Sequence, residues 1–312
     1  MILCCGEALI DMIPKPALDE QEGFVPHAGG AVFNTALALG RLSAPAGMLT
    51  GLSTDMFGTQ LLTSLQDSHV DTSHIITSDR PTTLAFVKLQ DGQASYSFFD
   101  ENSAGRMIRP ADLPAVSDNV TTLFFGGISL ASDPGAQTYA ALLKRESHEK
   151  VVMIDPNIRA GFIQDQTLYR KRLYAMMGQS DIVKVSDEDL NWVSPTPASL
   201  RDKAEALLHL GPALVIVTKG QDGAFGVTAS GKEIEIPAHP AKVKDTVGAG
   251  DAFNAGVLAK LSELGCLKKD ALRSASCDTL AQAMDYGARV ASVAVSREGA
   301  NPPWANEVTA AA

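Results

Sequence analysis

The run Asp245-Thr246-Val247-Gly248-Ala249-Gly250-Asp251 leads straight into Ala252-Phe253-Asn254-Ala255-Gly256-Val257-Leu258, setting a carboxylate at the mouth of an apolar helix. Glycines leave backbone N–H groups unobstructed, and the first turn of a helix has no intrahelical partners for them. Orphan amides and the helix dipole together favour an anion. Asp251 would repel a resident anion but suits a transient one. A phosphoryl group in transfer meets the amides while the carboxylate takes the proton of the attacking hydroxyl. The same residues also read as an ordinary glycine-capped helix with aspartate in its first turn.

A second cluster, Ala28-Gly29-Gly30-Ala31-Val32-Phe33-Asn34-Thr35-Ala36, opens another helix. Gly29 and Gly30 admit close backbone approach, and the Asn34 amide both gives and receives hydrogen bonds, which suits a polyol better than a phosphate. The alternative is a loop-to-helix junction with Asn34 as cap.

The elements that must hold these clusters follow from periodicity. Met1–Ile10 is an apolar run broken by Gly6 and Glu7, and strand-like runs recur at Thr121–Phe125, Val151–Asp155, Asp181–Val185 and Leu214–Thr218. Helix-period segments lie at Asn34–Leu42, Gly58–Ser68, Pro134–Arg145, Leu168–Met177 and Ser199–Leu208. Apolar strands spaced by helices predict βαβ units and a parallel sheet covered on both faces. Met12–His27, with three prolines, and Thr82–Asp100, a hairpin turning at Asp91-Gly92, break that rhythm. A second hairpin is expected at Ala224–Pro237, turning at Ser230-Gly231.

Composition narrows the class. The 312 residues are 45% hydrophobic and 20% charged, as in soluble globular proteins. A net charge of −10 argues against nucleic acid and anionic membrane partners, though not against a nucleotide in a locally positive site. Cys4, Cys5, Cys266 and Cys277 form no CxxC pair, so buried free thiols in a reducing cytosol are expected. Glu7 and Asp11 come too early for a signal sequence, and a cytoplasmic location is the expectation. There is no Walker loop, no Gly-x-Gly-x-x-Gly after the first strand and no metal spacing among the histidines.

Side by side, the two clusters resemble the paired signatures of the ribokinase-like family of carbohydrate kinases, most of all bacterial fructokinases. Gly6-Glu7 with Asp11, Asp155-Pro156-Asn157-Ile158-Arg159, Val217-Thr218-Lys219-Gly220 with Gly223, and Arg297-Glu298-Gly299-Ala300 extend the resemblance over nearly the whole chain. Val32 departs from it, standing where a small residue or proline is usual.

The resemblance implies a three-layer α/β sandwich, its mostly parallel central sheet flanked by helices, with a small β-sheet lid. Residues 1–10, 30–80 and 105–308 would form the core, 11–29 and 81–104 the lid over the sugar, and 309–312 a frayed tail. Phe86, Phe98 and Phe99 are lid aromatics that stack on a sugar, bury against the core or meet a partner's lid in a homodimer.

For the site, the resemblance implies Asp251 as base, with the amides of Gly248, Ala249 and Gly250 around the transferring group. Asp11, Gly29, Gly30, Asn34 and Arg159 fall on the monosaccharide side, and Thr218, Gly220, Gly223 and Lys184 on the ATP side. Where relatives often carry Asn-x-x-Glu, linked to Mg2+, this chain has Ser186-Asp187-Glu188-Asp189, leaving Asp189 as the candidate metal-organising residue. Asp245, with the carbonyls of Val247, Ala294 and Gly299, marks a neighbourhood for K+. Fructose is the expected acceptor. Ribose, 2-keto-3-deoxygluconate or a nucleoside are alternatives, as is a binding protein on a disabled kinase fold.

Overall fold

The computed structural model describes residues 1–16, 22–90 and 93–310. The chain begins with β1 (Ile2–Cys5), β2 (Leu9–Pro16), β3 (Glu22–Gly29), α1 (Ala31–Arg41), β4 (Ala46–Leu49), β5 (Gly51–Ser53) and α2 (Met56–Asp67). There follow β6 (Ile76–Ser78), β7 (Leu84–Gln90), β8 (Gln93–Phe99), β9 (Thr122–Gly126), α3 (Gly135–Glu146), β10 (Val151–Asp155) and α4 (Gln166–Met177). The middle continues with β11 (Ile182–Ser186), α5 (Asp187–Val193), α6 (Leu200–Leu208), β12 (Leu214–Thr218), β13 (Ala224–Thr228) and β14 (Glu233–Ile236). It closes with α7 (Ala249–Glu263), α8 (Lys269–Arg273), α9 (Cys277–Ala294) and α10 (Ala305–Ala310).

Eight strands form the main sheet in the order β14-β13-β12-β11-β10-β9-β1-β4. It is parallel from β12 to β4, and β13 and β14 add on antiparallel, turning through Gly231. Side-chain alternation divides its apolar residues between two cores. Ile2, Cys4, Val151 and Met153 pack toward α1, α7 and α9, whereas Leu3, Cys5, Val152 and Ile154 pack toward α3, α4 and α6. That is the double burial expected from unbroken apolar runs. Parallel strands share one carboxyl edge, and the turns after β1, β9, β10, β11 and β12 all open there.

A second sheet, β3-β2-β7-β8, stands off that edge. The proline-rich segment joins it as the β2–β3 antiparallel pair, and β7–β8 is the expected hairpin, whose Asp91-Gly92 turn lies outside the described residues. The first apolar run is not one strand. Gly6 and Glu7 break it, and Leu9 and Ile10, though buried, begin β2 of this second sheet. Thr309 and Ala310 of the expected frayed tail close α10, and the last two residues lie outside the described residues.

Periodicity did not reveal β4, a four-residue edge strand, or α9, an 18-residue helix. Helix α9 crosses α7 where both carry glycine: a Cβ on Gly256 would stand 2.7 Å from Gly287 Cα. Among the described residues no helix is long and apolar enough to cross a membrane.

Candidate active site

One cavity of about 560 Å3 lies where the second sheet overhangs the strand ends. Its lining includes Asp11, Gly30, Asn34, Arg159, Lys184, Asp189, Thr218 and Gly220 together with Gly248, Ala249, Gly250 and Asp251. Residues from both ends of the sequence thus converge on a volume typical of a small-molecule site.

Asp251 occupies the first turn of α7, nearly inaccessible at 5% exposure. Its Oδ2 accepts from Asn34 Nδ2 at 2.9 Å and its Oδ1 from Asn157 Nδ2 at 3.4 Å. Asn34 is therefore no cap. Gly30 holds the N-cap position, and Asn34 stands one turn into α1 with its amide turned on Asp251. Burial pushes the Asp251 carboxyl up to about 7; the Asn34 hydrogen bond and Lys184 oppose this, while Asp155 and Glu7 add to it. A carboxyl poised there exchanges a proton near neutrality, which an exposed aspartate does not.

The loop before Asp251 supplies amides, though not all three. Gly248, at φ 77°, turns the chain into α7. Ala249 donates its N–H to Thr246 O at 3.2 Å, whereas among the described residues the N–H groups of Gly248 and Gly250 have no acceptor. Asp245 clamps the loop from behind, Oδ1 accepting from Val247 N at 3.0 Å and Oδ2 from Gly299 N at 2.9 Å.

The α1 side is different. Glu7 Oε1 accepts from Ala31 N at 3.0 Å and Oε2 from Ser129 N at 3.2 Å, so a buried carboxylate fills that helix start. Gly29 is buried outside the lining: a Cβ there would collide with Asp11 Oδ2, and its absence lets the Asp11 carboxylate stand at the cavity. Burial raises Asp11 to about 6 against the pull of Arg159. Arg159 is exposed at the cavity edge, its guanidinium 5.9 Å from the Tyr96 ring centroid. Val32 is fully buried against Gly6, where any Cβ would meet it, so the larger residue is accommodated locally.

On the opposite flank, Thr218 ends β12 and Gly220 follows at φ 56°, both on the lining. Gly223 is off the lining; at φ 81°, with its carbonyl accepting from Lys219 N at 2.7 Å, it shapes the turn into β13. Lys219 reaches Glu235 at 3.7 Å, away from the cavity. Lys184 is buried with Nζ 2.9 Å from Asp155 Oδ2. Ser186 caps α5 by accepting from Asp189 N at 3.0 Å, and Asp189 Oδ1 accepts from Ile158 N at 3.1 Å. Burial and neighbouring Asp155 raise Asp189 to about 6.

Of Phe86, Phe98 and Phe99, only Phe98 lines the cavity, joined by Tyr96 of the same strand. Phe86 and Phe99 lie on the other face of the sheet, with ring centroids 5.4 Å apart, and neither is in the core. Glu7, Asn157, Asp155 and Asn254 were given no role from sequence. Two carried usable signals. Asn254 is three residues after Asp251, hence on the same face of α7, and Asn157 follows a strand end and a proline, where asparagine accepts the left-handed φ of 42° found here.

Comparison with known proteins agrees with this geometry. The family described as pfkB family carbohydrate kinase matches residues 1–307. A fructokinase of Rhizobium leguminosarum bv. trifolii is 50% identical over 273 residues, spanning 86% of this chain and 82% of that protein. The structure of a Xylella fastidiosa fructokinase with bound ATP has a TM-score of 0.89 at 28% identity, covering 99% of this chain and 97% of the other. A double-mutant fructokinase of Vibrio cholerae O395, in fructose-, ADP- and potassium-ion-bound form, has a TM-score of 0.83 at 26% identity over 96% and 93% of the two chains. With the Asp251 carboxylate and a glycine-opened amide loop facing a shared cavity, and a family match along almost its full length, the chain belongs to the pfkB family of carbohydrate kinases.

Proposed function

We propose that this kinase transfers the γ-phosphate of ATP to a primary hydroxyl of fructose, with Asp251 as the base. The observation that carries the reading is Asp251 itself, gripped by two asparagine amides beside the open N–H groups of Gly248 and Gly250. Asn34 and Asn157 fix the carboxylate while the hydroxyl approaches, and the two amides meet charge as it develops on the phosphoryl oxygens. Asp11 accepts sugar hydroxyls, Arg159 and the Gly30 backbone border the same pocket, and Thr218 and Gly220 admit the nucleotide phosphates. The 50% identity to a fructokinase supports fructose as the acceptor.

Mg2+ bound with ATP would supply charge neutralisation at its phosphates. Asp189 and Glu188 line the cavity and would hold such an ion through water. K+ would sit beside Asp245, whose two oxygens tie Val247 N to Gly299 N next to the amide loop. The lid's outer face exposes Phe24 and Phe99 at 40% and 57%, which supports a homodimer through the lid, to be read from the mass in solution.

A coupled ATP-consumption assay over fructose, ribose, 2-keto-3-deoxygluconate and adenosine tests the acceptor. Fructose should give the highest kcat/KM. A preference for any other replaces it.

A further inference from the structure

We propose that Lys184 is a catalytic residue whose ammonium hydrogen-bonds the phosphoryl group in transfer, and that Asp155 and Asn254 position it. The assignment rests on the kinase reading above and deepens its phosphate side.

Lys184 is the middle residue of β11, only 4% exposed, yet on the cavity lining. Asp155 Oδ2 accepts from Lys184 Nζ at 2.9 Å and from Asn254 Nδ2 at 2.7 Å, while its Oδ1 accepts from Asn157 N at 3.3 Å. This 1%-exposed carboxylate is thereby satisfied on both oxygens. An ammonium has three N–H donors, and Asp155 takes one. On its far side Lys184 meets the amide loop: a Cβ on Gly250 would stand 3.2 Å from Nζ. Glycine at 250 leaves the ammonium its room.

Charge decides what such a group is for. Six carboxylates line the cavity (Glu7, Asp11, Asp187, Glu188, Asp189 and Asp251) against two cations, Arg159 and Lys184. Arg159 is exposed at the lid edge, so Lys184 is the buried cation of the lining, beside a loop whose Ala249 amide is already engaged. Negative charge on the three equatorial phosphoryl oxygens needs donors that are in place beforehand. Gly248 N, Gly250 N and Lys184 Nζ form such a set. In the step itself the sugar oxygen bonds to phosphorus. The bond from phosphorus to the bridging oxygen breaks with its electron pair left on ADP, the hydroxyl proton passes to Asp251, and Lys184 keeps its protons throughout.

The competing explanation is that Lys184 only neutralises Asp155, because breaking a buried pair on one side leaves an uncompensated charge. The full-length protein carrying K184M, and the charge-balanced D155N/K184M, separate the two. The measurements are steady-state kinetics with fructose and MgATP, and calorimetric binding of ADP with and without aluminium fluoride. K184M should lower kcat at least 100-fold, with the fructose KM changed less than threefold. Affinity for ADP–aluminium fluoride should fall at least 30-fold and that for ADP alone less than threefold. The double variant, which folds without an orphaned carboxylate even if K184M does not, should be equally slow. Recovery of kcat to within fivefold of wild type in the double variant, or unchanged kcat in K184M, overturns the assignment. A wild type that phosphorylates no sugar sinks both this assignment and the reading beneath it.

Discussion

At the start of α1 the N–H of Ala31 donates to Glu7 Oε1 and that of Phe33 to Glu7 O, so the helix end is closed by the chain's own acid. At the start of α7 the N–H groups of Gly248 and Gly250 meet no protein acceptor among the described residues. Both helices open on glycine, and both border the cavity that holds Asp251. The difference teaches that a helix N-terminus binds an incoming anion only where the fold has not already supplied one. With Glu7 in place, the α1 side presents side chains, Asp11 and Asn34, suited to a neutral polyol. The α7 side keeps its donors for phosphate.

The largest expected effect comes from removing the group the two helices share. Asp251→Asn keeps the shape and leaves no base, and kcat should fall about 10^3- to 10^4-fold. Fructose affinity should stay within threefold. Because the carboxyl sits near 7, wild-type kcat should rise with pH through an acid limb near 7 and level off above it. The same shift has a stability cost of opposite sign to the usual aspartate. With a folded value near 7 against an unfolded one near 3.9, the native state binds the extra proton between those values, so stability contributed by this group declines as pH climbs from about 4 to about 7. A rise of that size corresponds to roughly 4 kcal/mol as a ceiling. The Asn variant should therefore melt several degrees higher than wild type at pH 8. An inactive variant that melts lower there contradicts the buried-charge account.

Glu7→Gln asks whether closure of α1 matters to one side of the cavity alone. An amide has one accepting atom, so either Ala31 N or Ser129 N would face an NH2 group and lose its partner. An unsatisfied buried donor costs about 1–3 kcal/mol. Fructose affinity should weaken about 10-fold as α1 and Asn34 shift, with ADP affinity changed less than twofold. Equal losses for both ligands would erase the distinction between the two helix starts.

How much of this was legible in sequence depends on the reach of each interaction. The strands from β9 to β12 could be placed because both-face burial writes itself as an unbroken apolar run, Leu214-Val215-Ile216-Val217 for one. Edge strand β4 is only four residues of Ala46-Gly47-Met48-Leu49, too short to show a period. The glycine loops could be placed because a turn is local chemistry. What closes each loop is not local: Glu7 meets Ala31 across 24 residues and Ser129 across 122. Asn34 reaches Asp251 across 217, so its donor role was hidden behind the cap that its position suggested. Gly29 and Gly223 were visible as special residues, but their reasons, room for Asp11 and a turn into β13, need neighbours that sequence does not name.

The smallest effect belongs to Arg159, at the edge of the sugar side. Its guanidinium opposes the burial that raises Asp11 to about 6, so Arg159→Met should raise that carboxyl further. Protonated, Asp11 offers a sugar hydroxyl a weaker acceptor. The fructose KM should then increase more on the acid side: about fivefold at pH 6 and about twofold at pH 8, with kcat at pH 8 within threefold. ADP affinity, set on the α7 side, should not follow. A KM ratio that is flat with pH would mean that Arg159 grips the sugar directly, and the sugar side would then rest on a cation as well as on Asp11.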